Sequence, residues 1–261
     1  MTRPFAIDLG WAAILDNLGV RAADLLRSVR LPEDLFTRPR PALEVDEFIR
    51  LWEALSSALK TDTPGLELGK SISVEAFSPP LFAAFCSPNL TIAAERLAKY
   101  KPLIGPMVLE SHPTLGGLEL TYGTEDGVTL PSEFLVAELV FLVQLARLAT
   151  RRNVRPIAVE MVSPPDHPAY QKFFGHRMLR GPFNRVVFSP DDAKRPFRSA
   201  NPAMFAAFEP DLQTRLDQLA RTASHADRLR SVLMEALPAG QADIENVSKR
   251  LGVSRRSLQR K

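Results

Sequence analysis

Apolar positions recur at helical spacing along much of the chain. Val45, Phe48, Ile49, Trp52, Leu55 and Leu59 share one face of a 3.6-residue period and predict an amphipathic helix over about 44–60. Shorter apolar runs predict helices at Trp11–Leu18, stopped by Gly19, and at Ala22–Val29, ended ahead of Leu31-Pro32. Arg38-Pro39-Arg40-Pro41 reads as an extended spacer, because proline removes a donor and turns its predecessor away from helix. Residues 79–104 predict two helices broken at Ser87-Pro88-Asn89. Thr91 is the expected N-cap of the second, Ile92–Leu103, with Glu95 near the positive end of its dipole. The longest apolar run, Phe134–Leu148, predicts a buried helix over about 132–151. It carries Glu138, Gln144 and Arg147 and is shorter than a membrane span.

Elsewhere the period shortens. Met107–Ser111 and Leu118–Tyr122 flank Gly116-Gly117 and predict a strand–turn–strand. Ile157–Val162, ended by Pro164-Pro165, and Arg185–Ser189 predict further strands, with a short helix at Asp166–Phe174 between them. Strands and helices mix without regular alternation, which predicts an α+β domain with a small, mostly antiparallel sheet rather than a doubly wound one. Beyond Asn201 only helices are predicted, at 201–222 and 227–237. The expected organisation is a domain over 1–200, a linker helix over 201–225 and a small all-α unit over 226–261. Met204, Phe208, Leu212, Leu216 and Leu219 stripe the linker helix, to serve either dimer contacts or packing on its own domain.

Composition narrows this picture only a little. Hydrophobic residues at 45% and charged residues at 24% are those of an ordinary globular chain. The single cysteine, Cys86, excludes an intrachain disulfide and fits a reducing cytosol. Its place in the apolar run Leu81–Cys86 makes it a packing residue rather than a nucleophile. The N-terminus has no signal-peptide pattern, since Asp8 and Asp16 interrupt its apolar stretch. Charge distribution says more. Residues 244–261 hold six basic residues against Glu245, a net of +5, while the rest holds 27 basic and 29 acidic residues, a net of −2. A basic excess confined to the tail points to an anionic partner, nucleic acid first.

The tail also has a motif. Ile244, Val247 and Leu251 lie on one helix face, Ser248 is small enough for a close crossing, and Gly252 permits a left-handed helix end. Val253 follows as an apolar plug, Ser254 as an N-cap for a second helix, and Leu258 returns to the core. These are the offsets of a helix-turn-helix. The second helix then presents Arg255, Arg256, Gln259 and Arg260, with guanidinium and amide groups suited to base edges in the major groove. Lys249 and Arg250, on the preceding helix, are placed for phosphates. The bland alternative is a solvated basic hairpin.

The run IENVSKRLGVSRRSLQRK resembles the first helix-turn-helix of AraC/XylS-family transcriptional regulators, with Ser248 where that family usually has Ala. Upstream, GLELGKSIS, LTIAAERLAKYKPLIG, PAYQKFFGHRMLRGPFNRVVFSPDDAKRPF and NPAMFAAFE resemble, in order and spacing, the subfamily with an arabinose-binding-like N-terminal regulatory domain. The resemblance implies a cytoplasmic, effector-responsive regulator that is often dimeric, with DNA, a small-molecule effector and a second copy as partners and no membrane role. It implies base- or groove-facing roles for Arg256, Gln259 and Arg260, with Arg255 nearer the backbone. The family's DNA-binding domain has two helix-turn-helices, and Ser254 to Lys261 make only about 12 Å of helix. The expectation is therefore an incomplete reader that binds DNA weakly or not at all in this form. The alternative function is a dimerisation or ligand-binding module without DNA binding of its own.

Other motifs are rejected. Gly65-Leu66-Glu67-Leu68-Gly69-Lys70-Ser71 is one residue short of a P-loop and bulky inside, so Leu66 and Leu68 read as packing residues around a helix end. His112, His167, His176 and His225 are dispersed, and one cysteine cannot complete a zinc framework. Asp166-His167 reads as a surface turn, and Asp191-Asp192 as the acidic start of a helical turn. No catalytic constellation, metal site or cofactor site is expected, and the protein is not expected to be an enzyme. An effector pocket is implied by the resemblance, lined from the Phe77–Phe85 region and the 134–148 helix, with no ligand residues assigned. Arg147 reads as a helix-end or surface residue before it reads as an anchor for an acidic group.

Overall fold

The structure, a computed structural model, describes residues 5–6, 10–38, 42–124, 128–237 and 243–255. In chain order the elements are β1 (Phe5–Ala6), α1 (Trp11–Asn17), α2 (Ala22–Ser28), β2 (Ala42–Leu43), α3 (Val45–Ala58), α4 (Pro64–Ser71), α5 (Pro79–Phe85) and α6 (Leu90–Tyr100). They continue with β3 (Met107–Thr114), β4 (Gly117–Thr124), α7 (Ser132–Thr150), β5 (Ala158–Met161), α8 (Pro168–Phe174), β6 (Leu179–Arg180), β7 (Asn184–Phe188) and α9 (Pro190–Lys194). The last two are α10 (Pro202–Ala236) and α11 (Ile244–Leu251). The chain divides into two compact units, Met1–Leu212 and Gln213–Lys261.

The first unit is α+β. Its five-stranded sheet runs β3-β4-β7-β5-β6 and is antiparallel except for the parallel β5–β6 pair. Period-two alternation sets its faces. Leu109, Leu120, Tyr122, Val186, Phe188, Val159 and Met161 are buried on one side. On the other, Arg185 joins Glu119 at 3.1 Å and Glu160 at 2.7 Å. The β3–β4 hairpin closes at Gly117, whose φ of +137° suits glycine, and a Cβ there would lie 2.0 Å from the Phe188 carbonyl oxygen.

Helix α7 is apolar on nearly every side because it is buried on nearly every side, from Phe134 to Ala149. Phe134 packs edge-on against Phe48 and Trp52 of α3, at centroid distances of 5.3 and 4.7 Å. The amphipathic pattern at 44–60 appears as α3, which opens on a capping box between Glu44 and Glu47.

Three expectations change. The Gly65–Ser71 segment is a helix, α4, and its glycines serve packing. A Cβ on Gly65 would lie 2.2 Å from Val136 Cγ1, and one on Gly69 2.6 Å from the Ala137 carbonyl oxygen, so α4 approaches α7 at a distance only glycine permits. The contact is pinned where the Gly65 N–H and the Tyr170 hydroxyl both donate to Glu133 Oε2. The N-cap of α6 is Asn89 rather than Thr91. Asn89 Oδ1 accepts the Ile92 N–H, and the Thr91 hydroxyl donates to the Ala193 carbonyl instead. Finally, 201–222 and 227–237 belong to one helix, α10, because Thr222–Ala226 contains no glycine or proline to end it.

Candidate functional site

A cavity of about 70 Å³ lies inside the first unit, where α1, α3 and α7 meet the chain between α6 and β3. Its aromatic wall is Trp11, Phe48, Trp52, Phe134 and Phe141. Trp11 stacks on Phe36 at 5.7 Å and meets Trp52 edge-on at 5.4 Å, and Trp52, Phe48 and Phe134 are in mutual ring contact, while Phe141 pairs with Phe77.

Two ionised groups interrupt this apolar lining, Lys101 and Glu138. Lys101 follows the last residue of α6, and Glu138 sits mid-way along α7. Their side chains are 3% and 13% exposed and meet at 2.6 Å from Nζ to Oε2. The Tyr122 hydroxyl, from β4, donates to the same Glu138 oxygen at 2.6 Å. Lys101 Nζ also stands 5.2 Å from the Tyr122 ring centroid. Burial pushes the Tyr122 phenol well up, and the Glu138 charge and hydrogen bond push it further, so Tyr122 stays a donor. A pair this deep is tolerated because each charge neutralises the other and shares hydrogen bonds.

One lining residue also carries an unmet donor. Trp52 is 7% exposed, and its Nε1–H has no partner among the described residues. Such a group costs free energy unless something occupies the space beside it. Two wider hollows of about 610 Å³ lie open on the surface, one along Pro164–Pro168 and one around Arg30 and Arg50. Among the described residues, neither is lined by a buried polar atom lacking a partner.

The expected lining from the Phe77–Phe85 region and from α7 contributes Leu81, Phe134, Glu138 and Phe141, while α1 and α3 supply the tryptophans. Arg147 is neither a free anchor nor a surface group. Its guanidinium donates to the carbonyls of Val154 and Phe173 and lies 4.3 Å from the Phe173 ring, which ties the end of α7 to α8. Cys86 is buried, and burial pushes its thiol up, against a smaller opposing pull from Arg96. His167 caps α8, its Nδ1 accepting the Ala169 N–H. No metal-binding group of side chains occurs among the described residues. None of the described helices is long and apolar enough to cross a membrane.

In the second unit, Asp243 caps α11 by accepting the N–H groups of Glu245 and Asn246. Those bonds, that to Asn246 first, hold its carboxyl below the usual aspartate range. Val247 and Ser248 are buried on the inner face, and Lys249 and Arg250 are exposed in the last turn. Gly252 ends the helix in the left-handed region, at φ 66° and ψ 28°. Its N–H donates to the Lys249 carbonyl and that of Val253 to the Ser248 carbonyl, the pair of bonds that closes a helix on glycine. Ser254 follows, and helical backbone resumes at Arg255, which reaches Glu245 at 3.8 Å. Arg256, Gln259 and Arg260 lie outside the described residues.

At the start of α10, the Arg96 guanidinium lies 3.4 Å from the Phe205 ring centroid, and Phe208 packs against Phe82 at 6.1 Å. These two rings of α10 therefore face their own unit.

The first unit is thus an α+β domain with a buried polar pair in an aromatic-lined cavity, joined in sequence to a helical unit that exposes Lys249 and Arg250. A family model described as the arabinose-binding N-terminal domain of AraC transcription regulators matches residues 19–197. The chain belongs to this family of AraC-type transcription regulators. Among solved structures it is similar to the transcriptional regulator CdpR from Pseudomonas aeruginosa. The TM-score is 0.54 at 17% identity, over 97% of this chain and 78% of that one, a likeness of fold. No curated protein sequence matches it.

Sequence reasoning missed Trp52, Lys101 and Glu138 as site residues. One signal was present: Glu138 is a carboxylate inside an otherwise apolar helix, and a buried charge requires a partner. Nothing local identified that partner as Lys101, which lies 37 residues earlier.

Proposed function

We propose that the protein is an effector-responsive transcriptional regulator that senses a small molecule in the Trp52–Lys101–Glu138 cavity and binds DNA through its C-terminal helical unit. In this reading residues 1–200 are regulatory, 201–225 link and contribute to a homodimer in the cytoplasm, and 226–261 belong to the reader. Lys249 and Arg250 contact phosphates and Ser254 opens the recognition helix. Arg255 lies near the backbone, and Arg256, Gln259 and Arg260 face base edges. The observation that carries the DNA-binding part is the left-handed Gly252, which turns the chain straight after a helix that buries Val247 and exposes Lys249 and Arg250.

The test is selection of bound fragments from sheared genomic DNA by the protein as its gene encodes it. Enrichment of fragments sharing a sequence motif, with affinity falling steeply with salt, is the expected result. Combining Lys249→Ala with Arg250→Ala lowers affinity for all fragments alike and flattens the salt dependence by about two phosphate contacts. Recovery of fragments at random, or a salt slope untouched by the double variant, refutes the assignment and favours a dimerisation or ligand-binding module.

A further inference from the structure

The ligand class follows from the charge and hydrogen-bonding balance of the cavity, an inference that rests on reading this cavity as the effector seat. The ionised groups of its lining are Lys101 and Glu138, in contact at 2.6 Å, so the lining is already neutral. A carboxylate ligand would leave one net negative charge among Trp11, Phe48, Trp52, Phe134 and Phe141, and an ammonium ligand one net positive charge. Either is costly against an apolar lining without a further counter-ion. A hydrocarbon would leave the Trp52 Nε1–H as unpaired as it now is. Among the described residues, Lys101 Nζ spends one hydrogen bond on Glu138, which leaves further donor capacity beside the same space.

We infer that the cavity takes an uncharged, compact molecule that presents a hydrogen-bond acceptor, such as a carbonyl oxygen, to the Trp52 Nε1–H from an otherwise apolar body. Its size is bounded as well. About 70 Å³ is the share of roughly two waters, so a head of about two to three heavy atoms enters without rearrangement and the rest must displace side chains. The Lys101–Glu138 pair then acts as a charge filter. It admits polarity and turns away ions of either sign, because it offers neither a free cation nor a free anion.

The site has its own reporters, since the chain's two tryptophans, Trp11 and Trp52, both line the cavity. The experiment titrates the protein with three probes of equal heavy-atom count: 2-pentanone, butyrate and pentylammonium. Tryptophan emission is read alongside calorimetry. 2-Pentanone is expected to bind at least tenfold more tightly than either ion. Trp52→Phe keeps the ring, removes the N–H and leaves Trp11 as reporter; it is expected to weaken 2-pentanone about fivefold, the worth of one net hydrogen bond. If an ion binds as tightly as the ketone, or if Trp52→Phe binds it unchanged, the ligand class is overturned while the cavity stands as the seat. If none of the three binds, the cavity itself is overturned as the seat, whatever the outcome of the DNA selection.

Discussion

Severing the buried pair at the cavity gives the sharpest energetic test of this structure. Lys101→Met keeps the length of the side chain and removes its charge, leaving Glu138 facing aromatic walls. Because the two side chains are 3% and 13% exposed, solvent screens the lost attraction only slightly. Removing one member of such a pair costs about 3–5 kcal/mol. The Tyr122 hydroxyl still donates to Glu138 at 2.6 Å, which places the expected loss near the lower end, about 3 kcal/mol. Glu138→Leu strands Lys101 and leaves the Tyr122 hydroxyl without its acceptor, so its loss is at least as large. Combining the two removes both charges at once. What remains is the unpaired hydroxyl, worth about 1–3 kcal/mol. The double variant should therefore be more stable than the sum of the single losses by about 3 kcal/mol or more. Urea denaturation followed by tryptophan emission reads this directly, because both tryptophans lie in the first unit. A Lys101→Met loss below about 1 kcal/mol, or strictly additive losses, would show that the pair is not a coupled buried unit.

Two further outcomes are expected. Gly69→Ala gains about 1 kcal/mol of helix propensity but drives a Cβ to 2.6 Å from the Ala137 carbonyl oxygen, which no rotamer change relieves. The net loss is about 1–2 kcal/mol, or a Tm lower by about 2–8 °C, and an unchanged melting curve would refute the close α4–α7 approach. The Asp243 carboxyl titrates below the usual aspartate value of 3.8, so its capping contribution is present above that value and lost as pH falls through the folded-state value. The amide resonances of Glu245 and Asn246 should shift toward unstructured positions in that acid range. Asp243→Asn caps without titrating and should not show the step; the same acid transition in both proteins would refute the cap.

How much of this was legible beforehand depended on the range of the forces involved. Local rules sufficed for α3, where apolar spacing marks one face, and for the β3–β4 hairpin, where Gly116-Gly117 falls between two short runs. They sufficed also for the Gly252 turn, since a left-handed helix end selects its residue type from within the helix itself. The family resemblance was carried by contiguous segments, which is why the AraC-type assignment needed no coordinates. What sequence spacing could not supply was anything set by distant neighbours. Gly65 and Gly69 had no assigned packing role until α7 lay across them. Thr91 ranked as a cap until the Ala193 carbonyl engaged its hydroxyl. Arg147 was open to an anchoring role until the carbonyls of Val154 and Phe173 took its donors.

The cavity is the furthest case. Its donor, cation and anion come from α3, the end of α6 and the middle of α7, and no period within one segment relates them. The chain alone therefore determined elements such as α3 and the β3–β4 hairpin, the basic tail and the family, because each is written in neighbouring residues. Tertiary structure decided which charges meet and which donor is left over, because burial and pairing are properties of the packed interior.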